Sequence, residues 1–309
     1  MAIAPEPAQD GGRRLGGPAL RQRYRVADAD VLTAPEARRF ITGGCRDPRA
    51  DITLAWELLY RLEPELYERL IRAERIHPGV LAWLPPAAGR VVEVGAGTGR
   101  LTMELIGRAR EVVAVEPAAP LRDILRRKLA AAGAGQRVRV TDGFIDELPV
   151  RSGCADLVVA CSMVTPEAGH GAVAGLAEME RICRPGGRVV IVWPNHLGWL
   201  ADRGYQYVSF EGPMEMTFSS PAEAAELAGI FYPEAAGEVR RRGGATVPYA
   251  VLGVNPPRDL AFKVMPVPTR VTTPQQGAVP TRGATPRTPQ QETVPTRGAT
   301  PRTPQQETR

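Results

Sequence analysis

A chain of 309 residues with 43% apolar and 24% charged side chains has room for one sizeable α/β core plus extensions. Its longest apolar strand, Val189–Trp193, is far too short to span a bilayer, and the opening residues hold no apolar segment of signal-peptide type, so a cytoplasmic protein without membrane attachment is expected. The net charge of +5 does not by itself indicate nucleic-acid binding. From Val264 onward six arginines oppose two glutamates, which places +4 in that stretch and leaves the remainder close to neutral.

Cys45, Cys154, Cys161 and Cys183 form no CxxC pair, and only His77, His170 and His196 could assist them, so neither a metal site nor a disulfide framework is expected. Residues 1–30 are rich in Gly, Pro, Ala and Arg without periodicity and read as a disordered N-terminus. Residues 31–85 read as a helical cap. Leucines at 54, 58, 62, 66 and 70 share one helical face, and Pro64 suits the first turn of a second helix. Trp56, Tyr60 and Tyr67 lie among them and read as aromatic packing of that layer.

Residues 86–263 read as the main domain. Strand and helix patterns alternate with short connections from Gly89, as in βαβ units around a parallel sheet. Strands are expected at Val91–Val94, Val112–Val115, Arg137–Thr141, Asp156–Val164 and Arg188–Trp193, with helices after the first, second and fourth. Ser220-Pro-Ala-Glu223 has capping-box spacing and predicts a helix to about Phe231. Glu238–Arg241 and Thr246–Val254, joined through Gly243-Gly244, read as a closing antiparallel hairpin. Residues 264–309 read as a disordered tail: 279–293 and 294–308 repeat the same fifteen residues, with one valine per unit, too little to build a core.

The stretch Val91-Val-Glu-Val-Gly-Ala-Gly-Thr-Gly-Arg100 is a strand, a tight loop and a helix start. Glycines at 95, 97 and 99 let the backbone turn sharply and lie against a ligand. Dinucleotide sites use G-x-G-x-x-G, whereas these glycines alternate and position 100 is Arg. Glu93, Glu116 and Asp142 should converge at the carboxyl ends of three strands. A carboxylate about 5 Å from a phosphate costs roughly 3 kcal/mol at an effective dielectric near 20. Glu93 beside the loop therefore favours a ligand without phosphates.

With Glu116-Pro117, Asp142-Gly143 before Leu148-Pro149, Ala155-Asp156-Leu-Val-Val159 and Arg184-Pro-Gly-Gly187, the chain resembles the class I S-adenosylmethionine-dependent methyltransferases, in particular the type 11 methyltransferase domain, over about Leu84–Val254. The resemblance implies a doubly wound, seven-stranded, mostly parallel sheet of Rossmann-like methyltransferase type. It implies that Glu93 and the loop Gly95, Ala96, Gly97, Thr98 and Gly99 hold the methionine moiety of S-adenosylmethionine. Glu116 would take the ribose hydroxyls and Asp142 the adenine amino group, with Pro117, Gly143, Phe144 and Cys161 completing the cofactor contacts. Acceptor-only carboxylates suit the ammonium, diol and amine of that cofactor.

Transfer of a methyl group demands orientation above all, with a base only where the acceptor must lose a proton. His170 and His196 are the candidate bases, and Trp199, Tyr205, Tyr207 and Phe210 could line an acceptor pocket or simply pack. Asn255-Pro-Pro257 stands after the final hairpin, away from the fourth strand, where an amino-methylating motif would belong. Cys161 lacks the preceding proline of a covalent nucleophile. The expected activity is methylation of a small molecule at O, N or C. The alternatives are an RNA or protein methyltransferase, or a non-catalytic module that binds the cofactor.

Overall fold

The computed structural model describes residues 18–85, 88–167 and 171–268. Among these, seven strands form one sheet in the order β3-β2-β1-β4-β5-β9-β6. They are β1 (Ala88–Val94), β2 (Ala109–Val115), β3 (Val138–Thr141), β4 (Ala155–Cys161), β5 (Cys183–Val192), β6 (Gln206–Ser209) and β9 (Asp259–Val264). The first five pair in parallel, and β9 then joins β5 to β6 through antiparallel ladders. A separate small ladder pairs β7 (Glu215–Thr217) with β8 (Thr246–Pro248). This is the doubly wound, mostly parallel sheet expected from sequence. Its order reverses between β1 and β4, and the crevice beyond the carboxyl ends of those strands is where open α/β sheets bind ligands.

Alternation along the strands sorts the core onto two faces. Val91, Ala114, Leu157, Val159, Val190 and Leu260 belong to one apolar cluster, and Val92, Val94, Val115, Val158, Ala160 and Val189 to the other. On the second face lie α8 (Ala172–Ile182), through Leu176, Met179 and Ile182, and α9 (Leu197–Ala201), through Leu200. The first face is covered by α7 (Ala119–Ala131), α10 (Pro221–Phe231), α11 (Ala236–Arg242) and α12 (Tyr249–Leu252), together with the N-terminal helices. The latter are α1 (Pro18–Arg21), α2 (Ala34–Phe40), α3 (Ile52–Leu62), α4 (Pro64–Ala73) and α5 (Pro78–Trp83), while α6 (Thr102–Leu105) follows the glycine loop. Leu54, Leu58, Leu66 and Leu70 are buried, but Leu62, at the end of α3 where Glu63 breaks the helix, is 41% exposed, and Pro64 opens α4. The Ser220 hydroxyl accepts from the Glu223 amide at 3.1 Å, which caps α10.

Two expectations need correction. The closing hairpin does not form. Glu238–Arg241 lies in α11, where Glu238 pairs with Arg241 and with Arg242 one turn on, and Gly243 ends the helix at φ 61°. Thr246–Pro248 pairs instead with β7, Tyr249–Leu252 turns into α12, and the antiparallel strand beside β5 is β9, which the sequence reading did not mark. Part of the N-terminus assigned to disorder is structured. Leu20 and Tyr24 are buried, and the Tyr24 hydroxyl and Arg23 guanidinium both bond Glu63, at 2.9 Å and 2.7 Å. Residues 1–17 and the repeats after 268 lie outside the described residues. Among the described residues no helix is long and apolar enough to cross a membrane.

The last strand runs to Val264, and Met265 exchanges two backbone bonds with Gly186 and Gly187, at 3.0 and 2.9 Å. Ending the chain at Pro268 should therefore leave the thermal midpoint unchanged in circular-dichroism melts. Ending it at Arg258 deletes the strand that joins β5 to β6 and should abolish cooperative unfolding.

Candidate cofactor site

The loop after β1 is anchored from β2. The carbonyl of Val115 accepts from the amides of both Gly95 and Ala96, at 2.9 and 3.0 Å. Glu116 then binds with both carboxylate oxygens, one taking the Gly97 amide at 2.8 Å and the other the Ala118 amide at 2.8 Å. Gly95, Gly97 and Gly99 all have positive φ, at 69°, 56° and 95°. A β-carbon on Gly99 would come within 2.4 Å of Leu125 Cδ1, and one on Gly95 within 2.9 Å of the Met163 side chain. The alternating glycines are therefore required for backbone conformation and for close packing alike.

Glu93 projects from β1 toward the face covered by the cap and is 2% exposed. Thr102 donates its hydroxyl to the carboxylate at 2.5 Å. Burial pushes the carboxyl up to about 8, against the opposing effects of the Thr102 bond and the Arg100 charge. The repulsion of phosphate argued from sequence thus acts only when Glu93 is ionised, and a cation bound beside it would favour that ionised form. Burial raises Glu116 as well, opposed by the Ala118 and Gly97 amides.

Arg100, which the sequence reading noted only as a missing glycine, reaches to the end of β4. It pairs with the buried Glu74 at 2.7 Å, donates to Cys161 Sγ at 3.1 Å and lies 5.2 Å over the Trp193 ring. Asp142, at the end of β3, is largely exposed and holds Arg122 at 2.9 Å. The same guanidinium donates to the carbonyls of Glu116 and Pro117, at 2.6 and 2.7 Å, and so ties the ends of β2 and β3 together. Gly143 lies where a β-carbon would meet Pro149 at 2.6 Å. Phe144 is gripped from the cap: Arg39 lies 4.2 Å over its ring, Phe40 meets it edge-on at 6.2 Å, and Arg39 also pairs with Asp146.

A second buried network comes from the cap. Arg61 bridges Glu36 and Glu57, at 2.7 and 2.6 Å. Burial moves Glu57 up to about 7, with Arg61 opposing and the charge of Glu116 adding to the rise. Helical periodicity marked these positions as part of an amphipathic layer, and no local motif distinguishes them as neighbours of the loop. Of the two candidate bases, His170 lies outside the described residues. His196 precedes α9, half-buried, and its imidazole makes no hydrogen bond among the described residues. Asn255 is held by its backbone, accepting from the Trp193 indole at 3.0 Å.

The residues present fit S-adenosylmethionine. At Gly97 a side chain would enter the space in front of the loop, the Thr98 hydroxyl is buried without a partner among the described residues, and two buried carboxylates flank the loop. Residues 91–187 match the family described as a methyltransferase domain. The matched stretch, residues 91–187, is of the class I S-adenosylmethionine-dependent methyltransferase type. An uncharacterized methyltransferase of Mycobacterium tuberculosis is 36% identical over 135 residues, 41% of this chain and 50% of that protein. Another, of Geobacillus kaustophilus, is 30% identical over 112 residues, 36% of this chain and 50% of its own. The chain thus spans about half the length of the curated relatives it matches. A solved O-methyltransferase from Thermotoga maritima is 14% identical, with 67% of this methyltransferase-domain chain and 72% of that one covered at a TM-score of 0.41.

The raised carboxyl of Glu93 makes stability depend on pH. Its folded value, about 8, lies above its ordinary 4.5, so its contribution is complete below pH 4.5 and is lost as pH rises toward 8. Over the upper part of that window the loss is about 1.4 kcal/mol per pH unit. Glu93→Gln should flatten the fall in thermal midpoint between pH 5 and 8 in scanning calorimetry. A fall as steep as that of the unaltered protein would place the titrating group elsewhere.

Proposed function

We propose that this methyltransferase domain acts on a small-molecule acceptor, at O, N or C, with S-adenosylmethionine as donor. The observation that carries the cofactor assignment is the two-sided hold of Glu116 on Gly97 and Ala118, which sets a buried carboxylate at the mouth of a glycine loop beside the sheet's switch point. Glu116 would take the ribose hydroxyls, Glu93 and the loop the methionine moiety, and Asp142 with Gly143 and Phe144 the adenine. When bound, the cofactor would supply a methyl group on a sulfonium for direct transfer to an acceptor nucleophile.

The chain's own contribution is orientation and exclusion of water. Backbone bonds from Val115 and the Glu116 carboxylate fix the loop before any ligand arrives. Arg122 sets the end of β3 against that of β2, and Arg100 sets the loop against the end of β4. A small acceptor is favoured because the helices over the cleft are tied to the domain by ion pairs. Arg39 to Asp146, Lys128 to Glu68 and Arg127 to Glu65 each join the cap to the sheet domain. A polymer would have to displace that cover.

Titration calorimetry tests the reading directly. Saturable binding of S-adenosylmethionine is expected, with Glu116→Ala weakening it at least roughly tenfold, the loss of a charge-assisted hydrogen bond or more. No saturation up to about 1 mM would contradict the reading. Radiolabelled donor offered with pools of small molecules, RNA and protein should label the small-molecule fraction, and label confined to RNA or protein would overturn the acceptor class.

A further inference from the structure

Two adjacent phenols of the cap, one of them beside the glycine loop, have nothing bonded to their hydroxyls among the described residues. Tyr60 in α3 and Tyr67 in α4 pack ring against ring, with centroids 4.8 Å apart and planes at 66°. Trp56 backs both, at 5.9 and 6.3 Å. Aromatic rings on leucine-rich helices are ordinarily packing residues, but a phenol enclosed in a packed layer normally finds a partner for its hydroxyl. Tyr24, Tyr205, Tyr207 and Tyr232 do so here, donating to Glu63, Glu180, Asp259 and Glu74 at 2.9, 3.2, 2.9 and 3.0 Å. The hydroxyls of Tyr60 and Tyr67 have no hydrogen-bond partner among the described residues, and neither oxygen is sealed from solvent. Both side chains are half-buried, as groups lining a cleft are.

Their position relative to the loop is specific. A β-carbon built on Gly97 would lie 3.6 Å from both Cε1 and the hydroxyl oxygen of Tyr67. The Gly97 amide, in turn, is bound to Glu116. Arg100, which joins the loop to the end of β4 through Cys161, and Glu116, at the end of β2, both act on the Tyr67 hydroxyl. A ligand with its ribose on Glu116 and its amino-acid end near Glu93 passes its sulfur through the space between those two acids.

We propose that Tyr67 faces the sulfonium of the bound cofactor, so that the helical cap supplies a polar roof over the transfer centre. This rests on the cofactor assignment above. The phenol oxygen and the negative face of its ring attract a positively charged sulfur and the polarised C–H bonds of its methyl group. Burial raises the Tyr67 phenol above its usual range, so it stays neutral, and it contributes attraction without taking a proton. The contact distinguishes the charged donor from the neutral thioether left after transfer, and it would therefore favour product release.

The test compares S-adenosylmethionine with S-adenosylhomocysteine on the full chain by calorimetry, for the unaltered protein and for Tyr67→Phe, Tyr60→Phe and Tyr207→Phe. Tyr67→Phe keeps the ring and should weaken the methylated form by roughly threefold or more while leaving the thioether nearly unchanged. Tyr60→Phe, which removes a hydroxyl not placed against the loop, should not discriminate between the two ligands, and Tyr207→Phe should weaken neither. Equal weakening of the two ligands by Tyr67→Phe, or no effect on either, overturns the proposal. If the unaltered protein binds neither ligand, the cofactor assignment itself fails, and that outcome is distinct from the first. A measurement without substitution stands beside these: methyl-labelled S-adenosylmethionine bound to the unaltered protein should show a nuclear Overhauser effect between its methyl protons and tyrosine ring protons. Absence of that effect also overturns the proposal.

Discussion

The site depends on one carboxylate that bonds in two directions. Glu116 accepts the Gly97 amide with one oxygen and the Ala118 amide with the other, and so clamps the loop after β1 to the turn after β2. Charge-assisted bonds to backbone amides are among the stronger contacts a buried carboxylate can make, and they offset part of the cost of its desolvation. Val115 adds its carbonyl beneath Gly95 and Ala96, and Glu116 itself donates its amide to Thr141, so the ends of three adjacent strands share one hydrogen-bond system. Without that system, three glycines in left-handed conformations would have many alternatives and no reason to hold one.

The helical cap carries more of the site than its composition suggests. It contributes Glu57, Arg61 and Glu36 as a buried ion network, Glu74 as the partner of Arg100, and Arg39 with Phe40 against Phe144. Buried ion pairs of this kind contribute little net stability, because desolvation opposes the Coulomb attraction, but breaking one leaves an uncompensated charge. Their consequence here is positional. The Arg100–Glu74 pair and the Arg39–Phe144 contact tie the cap to the sheet domain, and Tyr67 of the cap lies beside Gly97.

Where local chemistry decides the structure, the sequence was legible. β1 through β5 follow from apolar runs and short connections, and the loop follows from glycines whose spacing answers to backbone conformation. Where distant contacts decide, it was not. Glu238–Arg242 has one inward valine and could alternate as a strand, and its helix is favoured by pairs between residues three and four apart together with a glycine stop. β9 has only four to six residues of pattern, and its partners β5 and β6 lie more than fifty residues away in the chain. Leu20 and Tyr24 become ordered through Glu63, which nothing near them announces. Tyr60 and Tyr67 read from sequence as packing of the helical layer, whereas both are half-buried, because periodicity does not say what a residue meets on its side of the helix.

The central claim is that Glu116 and the loop it clamps receive the adenosyl group beneath the cap. A structure of the full chain with S-adenosylhomocysteine tests it most directly. The account predicts both ribose hydroxyls at the Glu116 carboxylate, with the loop from Gly95 to Gly99 unmoved. A ligand bound away from Glu116, or a loop that must rebuild to admit it, would contradict the account.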